Sequence, residues 1–109
     1  MRIVPSPKFD REIKRLAKKY PSIPKDFRLL VETFETNPTI GVPLGKDCYK
    51  VRMAISSKNQ GKSGGARVIT CVKIVDDTLY LLSIYDKSEQ ENIPDDEIDA
   101  VLKSLGLLP

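Results

Sequence analysis

The spacing of apolar residues changes period once along this chain, at Cys48, and the change separates a helical first half from a second half built of strands. Before it, Phe9, Ile13, Leu16, Ala17 and Tyr20 fall at i, i+4, i+7, i+8 and i+11, one stripe at the helical repeat. Ser6 followed by Pro7 supplies an N-cap and a first-turn residue for that helix, and Pro21 ends it. Phe27, Leu30, Val31 and Phe34 form a second stripe, opened by Ser22 or Ile23 ahead of Pro24 and stopped at Asn37-Pro38. Two helices joined this closely predict an antiparallel hairpin. Pro38, Gly41, Pro43 and Gly45 then mark an irregular connection.

From Cys48 onward Tyr49, Val51, Met53 and Ile55 alternate with Lys50, Arg52 and Ala54, the pattern of a half-buried strand. Ala66 to Val75 reads as another strand and Leu79 to about Lys87 as a third, with Asp76 to Thr78 as the turn between them. Arg2 to Pro5 can add a short strand at the start. Pro94 with Asp95, Asp96 and Glu97 opens a last helix, whose stripe of Ile98, Val101, Leu102 and Leu105 is closed by Gly106. The expected order is β-α-α-β-β-β-α, a single α+β domain over residues 1–109. Its small antiparallel sheet carries the helix hairpin on one face and a C-terminal helix follows.

Composition matters mainly through what it withholds. There is no histidine, and Cys48 and Cys71 are the only cysteines, so the ligand set of a structural zinc site is missing and neither metal nor cofactor is expected. The first residues, MRIVPSPKFD, lack the apolar core of a signal peptide, and no apolar run approaches the length that spans a bilayer. A cytoplasmic protein without membrane attachment is therefore expected, and its two cysteines read as reduced core or sheet residues.

The net charge of +3 conceals an asymmetry. Residues 1–45 carry nine Lys/Arg against five Asp/Glu, residues 46–75 seven against one, and residues 76–109 two against nine. Within the basic middle, KVRMAISSKNQGKSGGAR holds Lys50, Arg52, Lys58, Lys62 and Arg67 without one carboxylate, and Gly61, Gly64 and Gly65 lie among them. Glycines let a backbone approach an anion closely, and Arg and Lys neutralise and hydrogen-bond it. The first helix adds a basic face of Lys8, Arg11, Lys14, Arg15, Lys18 and Lys19, which reads first as a solvated surface.

Register decides which of these cations meet. If residues 55 and 66 close the first strand pair, Lys50 lies opposite Cys71, Arg52 opposite Ile69 and Ala54 opposite Arg67. A three-residue turn in the next hairpin pairs Ile69 with Tyr85 and Arg67 with Lys87. It leaves Tyr80, Leu82 and Ile84 on the helix side with Val68, Thr70, Val72 and Ile74, and spares the fold an unpartnered buried Lys87. Lys50, Arg52, Arg67, Ser83, Tyr85 and Lys87 then share the face away from the helices, with Lys58 and Lys62 arching over it. Cations gathered on one exposed face repel one another until an anion arrives, which points to a phosphate-bearing ligand.

At these residues the sequence resembles a known family. DCYKVR, GKSGGARVIT and LLSIYDKSEQENIPDDEI, together with FDREIKRLAKKY, are similar to the strands, tail and first helix of RelE/HigB-like toxins of bacterial type II toxin–antitoxin systems, the RelE/ParE superfamily. The resemblance covers nearly the whole chain. It implies a RelE-like fold and a ribosome-dependent endoribonuclease, an mRNA interferase that cuts mRNA in the decoding site and so inhibits translation. It also implies a cognate DNA-binding antitoxin that silences the toxin, and operator DNA bound through the complex of the two. By position, the family's catalytic cations match Lys50, Arg52, Arg67 and Lys87. Two departures stand out: the loop 56–65 is long and rich in lysine, and Ile93 stands where shorter members carry a C-terminal catalytic tyrosine.

Cleavage of RNA by its own 2′-OH needs a base for that hydroxyl, stabilisation of a dianionic phosphorane and a proton for the leaving 5′-oxygen. Without histidine, Lys50, Lys58, Lys62, Lys87 and Tyr85 are the proton-transfer candidates, because crowding by cations is expected to acidify both lysine and tyrosine. Arg52 and Arg67 suit charge stabilisation. The candidate catalytic set is thus Arg67, Lys87, Tyr85, Arg52 and Lys50, and the candidate phosphate-binding set is Lys58, Lys62, Gly64 and Gly65. A gyrase-inhibiting toxin of the ParE branch and a non-catalytic RNA- or ribosome-binding module are the alternatives.

Overall fold

The computed structural model describes residues 1–58 and 61–108, so Asn59 and Gln60 of the loop 56–65 lie outside the described residues. Among the described residues there are five strands and three α-helices: β1 (Arg2–Pro5), α1 (Pro7–Lys19), α2 (Ile23–Thr36), β2 (Val42–Gly45), β3 (Cys48–Met53), β4 (Ala66–Lys73), β5 (Thr78–Asp86) and α3 (Asp95–Ser104). They form one mixed sheet in the order β1-β5-β4-β3-β2. β1 runs parallel to β5, while the other neighbours are antiparallel.

The expected α+β domain stands, with the helix hairpin on one face and a C-terminal helix after the last strand. Ser6 caps α1 by accepting the Phe9 amide at 3.0 Å, and its own hydroxyl donates to the Leu82 carbonyl, which ties the start of the helix to β5. Phe9, Leu16, Ile23, Leu30 and Phe34 of α1 and α2 bury against Val51, Met53, Val68, Val72, Leu79, Leu81 and Ile84 of the sheet and Ile55 just after β3. Each fully buried side chain of this size contributes about 1.5–3 kcal/mol. α3 covers the opposite face, where Ile98, Val101 and Leu102 pack with Ile93 on Cys48, Ile69, Cys71, Leu82 and Tyr85. At its end Gly106, in the left-handed region at φ 73°, lets the Leu107 and Gly106 amides donate back to the Leu102 and Lys103 carbonyls.

Several details depart from expectation. The segment read as an irregular connection contains β2, which pairs with β3 through a turn whose two central residues, Lys46 and Asp47, both have positive φ. The β3–β4 pairing is displaced by two residues from the expected one, so Arg52 faces Arg67 and Lys50 faces Ile69, yet the parity of the faces survives. β4 ends at Lys73, and Ile74 and Val75 turn out into solvent in a short 3₁₀ turn.

A bulge changes the faces of β5. Ile69 pairs with Ser83 but Thr70 with Leu81, so Leu82 is the extra residue and the alternation inverts there. Tyr80 and Leu82 therefore face α3 and not the hairpin, while Ile84 stays on the hairpin side. Ser83 leaves the cationic face, its hydroxyl donating to Glu12 of α1 at 2.8 Å.

Candidate functional site: a cationic cleft

Lys50 and Arg52 stand two residues apart on β3 and therefore share a face. Arg67 reaches the same face from β4, and Lys87 follows directly after β5. These four side chains meet at a cleft of about 210 Å³ that is completed by Val42 of β2 and by Glu91 and Asn92 of the connector to α3. A hydrogen bond from the Lys87 amide to the Gly65 carbonyl, at 3.0 Å, prolongs the β4–β5 ladder and fixes where Lys87 starts.

The two arginines are opposite partners. Val72 donates to the Asp47 carbonyl at 2.9 Å, which makes that pair a hydrogen-bonded one; counting along the ladder, Arg52–Arg67 falls at a non-hydrogen-bonded pair. Such pairs bring the chains closest, with Cα atoms about 4.5 Å apart. Like charges so placed oppose folding by themselves.

The loop answers this at Arg67, which is only 5% exposed. Its Nη1 donates to the Lys62 and Ala66 carbonyls at 3.0 and 3.1 Å, and its Nη2 to the Ser63 carbonyl at 3.2 Å. Burial first, and the Arg52 charge second, lower the Arg67 pKa, so this cation is held at an electrostatic cost that a bound anion would relieve. Arg52 remains exposed. Lys50 is oriented by Asn92, whose Oδ1 accepts from its Nζ at 3.1 Å.

Tyr85 lies beneath this face, 2% exposed, and its hydroxyl has no hydrogen-bond partner among the described residues. The expected acidification does not occur: burial pushes its pKa up and outweighs the opposing pull of Arg67.

Lys58 does not join the cleft. Its Nζ pairs with the fully buried Asp86 at 2.9 Å, contacts Ser88 Oγ at 3.2 Å and lies over the Tyr20 ring. Burial alone would raise the Asp86 carboxyl, but hydrogen bonds from Tyr20, at 2.6 Å, and from Lys58 and Ser88 hold it well below the usual carboxylate range. Hydrogen bonding to Asp86 raises the Lys58 pKa, opposite to the lowering expected of a crowded lysine. Lys62 is exposed and lines a second groove of about 210 Å³ between α2 and β3, to which Arg52 also belongs. Arg52 thus stands between Lys62 and the cleft.

Of the glycines, Gly65 is buried, and a Cβ there would collide with the Met53 carbonyl oxygen, so its role in the structure is close strand approach. Gly64 is half-buried beside it.

Sequence reasoning missed Val42, Glu91 and Asn92. Nothing in their spacing signals a site, because they reach the cleft only through the folding of β2 and of the connector between β5 and α3.

A family model described as the RelE toxin of the RelE/RelB toxin–antitoxin system matches residues 1–106. The solved structure of a double mutant of the Escherichia coli toxin RelE in the free state superimposes with a TM-score of 0.61 at 18% identity, covering 94% of this chain and 95% of that one. No curated protein sequence matches. At that identity the solved structure speaks for the fold, and the family match over nearly the whole length speaks for descent: the chain belongs to the RelE family of toxins of toxin–antitoxin systems.

Proposed function

We propose that this toxin is a ribosome-dependent endoribonuclease that cleaves mRNA in the decoding site by way of the RNA's own 2′-OH. The observation that carries the reading is the convergence of Lys50, Arg52, Arg67 and Lys87 on one cleft, with the two arginines directly opposed. Arg52, exposed and close to a second guanidinium, takes the non-bridging oxygens of the scissile phosphate, and Arg67 supplies charge from below while it holds the loop. Lys50 and Lys87 are the proton-transfer groups within the cleft. Lys58 is assigned to the fold, since its charge is already matched by Asp86.

Weak proton-transfer groups make a poor nuclease in free solution, and orientation of the mRNA by the ribosome supplies the missing rate. A cognate antitoxin holds the toxin inactive, and the complex binds operator DNA in the cytoplasm of a bacterium. Single-turnover cleavage of mRNA on purified ribosomes tests this. Arg52→Ala should reduce the rate at least 100-fold (~2.7 kcal/mol of transition-state stabilisation) while the protein stays folded. Unchanged cleavage by that variant, or ribosome binding by the unaltered protein without any cleavage, overturns the reading.

A further inference from the structure

Cys48 and Cys71 are partners in the β3–β4 ladder. By the count that places Arg52–Arg67, they too form a non-hydrogen-bonded pair, since the neighbouring Val72 donates to the Asp47 carbonyl. The Cα separation of such a pair, about 4.5 Å, lies inside the range of about 4.4–6.8 Å that a disulfide spans. Both thiols are reduced and buried. They point to the face covered by α3, and both contact one acceptor, the Lys46 carbonyl oxygen, at 3.5 and 3.7 Å. Two sulfurs on one oxygen are already neighbours, so joining them needs no change of register.

A small cavity of about 70 Å³ reaches Cys48 from the surface, lined by Leu44, Gly45, Lys46, Cys48, Asp95, Ile98 and Asp99. That is room for a molecule the size of water or hydrogen peroxide. Its rim carries the Lys46–Asp99 ion pair at 2.5 Å, half in solvent, which can open without disturbing the core. Cys48 lines the cavity and Cys71 stands behind it on the same Lys46 carbonyl, so a peroxide in the cavity meets the Cys48 sulfur.

We propose that Cys48 and Cys71 form a reversible dithiol–disulfide site whose oxidant is hydrogen peroxide entering beside Lys46. Cys48, as thiolate, attacks the peroxide; the O–O bond breaks, a sulfenic acid forms and hydroxide leaves, taking up the proton that the thiol had released. The second thiol then attacks the sulfenic sulfur, the S–S bond forms and water departs. In sum two thiols and one peroxide give one disulfide and two waters, the sulfurs losing the two electrons that the O–O bond gains. The bridge staples β3 to β4 two residues from Lys50 and so stiffens one wall of the cationic cleft. The site stands on the register and the cavity alone and does not depend on the proposed nuclease activity.

The test is peptide mapping of the full-length reduced protein after exposure to stoichiometric hydrogen peroxide at neutral pH. Free thiols are blocked with N-ethylmaleimide in denaturant before digestion. The expected result is a Cys48–Cys71 linked peptide in most chains, absent after treatment with dithiothreitol. It is accompanied by a melting temperature roughly 5–15 °C higher than that of the reduced protein. Cys48→Ser and Cys71→Ser should each abolish that rise. Recovery of both cysteines as maleimide adducts or as sulfinic or sulfonic acids, without the linked peptide, overturns the proposal whether or not the serine variants fold. So does a linked peptide that forms only in denatured protein.

Discussion

At the scale of single residues the two facing arginines are not equivalent. Arg52 is exposed and its side chain makes no hydrogen bond or ion pair among the described residues, so Arg52→Ala should change stability by less than about 0.5 kcal/mol. Arg67, by contrast, is no exposed strand cation, because its Nη atoms hold the Lys62 and Ser63 carbonyls of the loop and the Ala66 carbonyl of β4. Arg67→Ala should therefore cost about 1–3 kcal/mol in urea unfolding as well as activity. Equal stability of the two variants would contradict this division. Tyr85 makes the complementary case. A buried hydroxyl without a partner is a cost to the fold, so Tyr85→Phe should leave stability unchanged or slightly raised. A drop in cleavage by that variant would show that the hydroxyl is kept for the reaction, and unchanged cleavage would remove it from the candidate set. Asp86 offers a test by pH. Its folded pKa is depressed, so its contribution is present above the unfolded value of about 3.9 and is lost as pH falls through that value toward the folded one. Asp86→Asn should cost about 3 kcal/mol at neutral pH by breaking the buried pair with Lys58, and should flatten the acid limb of the stability curve.

The helices and the strands β3, β4 and β5 were legible as elements, but which way each residue faces was legible only where one face is apolar and the other polar. α1, α2 and α3 follow their stripes closely because solvent faces one side of each helix. β3 likewise shows its alternation, since Lys50 and Arg52 stand opposite Val51 and Met53 in the pleat. β5, in contrast, is a run of TLYLLSIYD buried along nearly its whole length by the hairpin on one side and α3 on the other, so periodicity cannot reveal the bulge at Leu82. β2 was missed because Pro43 weakens a strand reading and Lys46–Asp47 lacks the Asn-Gly signature of a tight hairpin turn. The cleft's cations were readable because the two-residue register displacement preserves parity; Asn92 was not, because a loop's path leaves no periodic trace. α3 packs across the face of the sheet, over Leu82 and Tyr85, and not at its rim. Leu102→Ala, at 1% exposure, should then cost about 2–5 kcal/mol, and truncation after Asn92 should leave a chain that binds hydrophobic dyes or does not fold. A truncated protein with an unchanged melting temperature would show that α3 is a passive cap.

Over the whole molecule, the three charge blocks of the sequence are sorted in space. Part of the acidic last third pairs with basic groups outside the cleft: Glu89 faces Arg15 and Lys19, Glu97 faces Lys8, and Asp99 pairs with Lys46. Among the described residues no carboxylate forms an ion pair with Lys50, Arg52, Arg67 or Lys87, although Glu91 lines the same cleft. Where β3, β4 and the end of β5 meet, four cations are thus left without an ion-pair partner among the described residues. A surface arranged in this way binds a polyanion chiefly by releasing its counterions, and the logarithm of affinity should fall linearly with the logarithm of salt concentration. Removing one cation that meets a phosphate should lower the magnitude of that slope by about one. Ribosome binding measured across a salt series should therefore show a steep slope for the unaltered toxin and shallower slopes for Arg52→Ala and Lys87→Ala. Lys103→Ala, on α3 and outside the cleft, should leave the slope unchanged. If all four proteins share one slope, the ribosome meets the toxin elsewhere on its surface. If none of them responds to salt, the target is recognised through apolar surface, as a protein would be, and the nucleic-acid reading of the cleft fails with it.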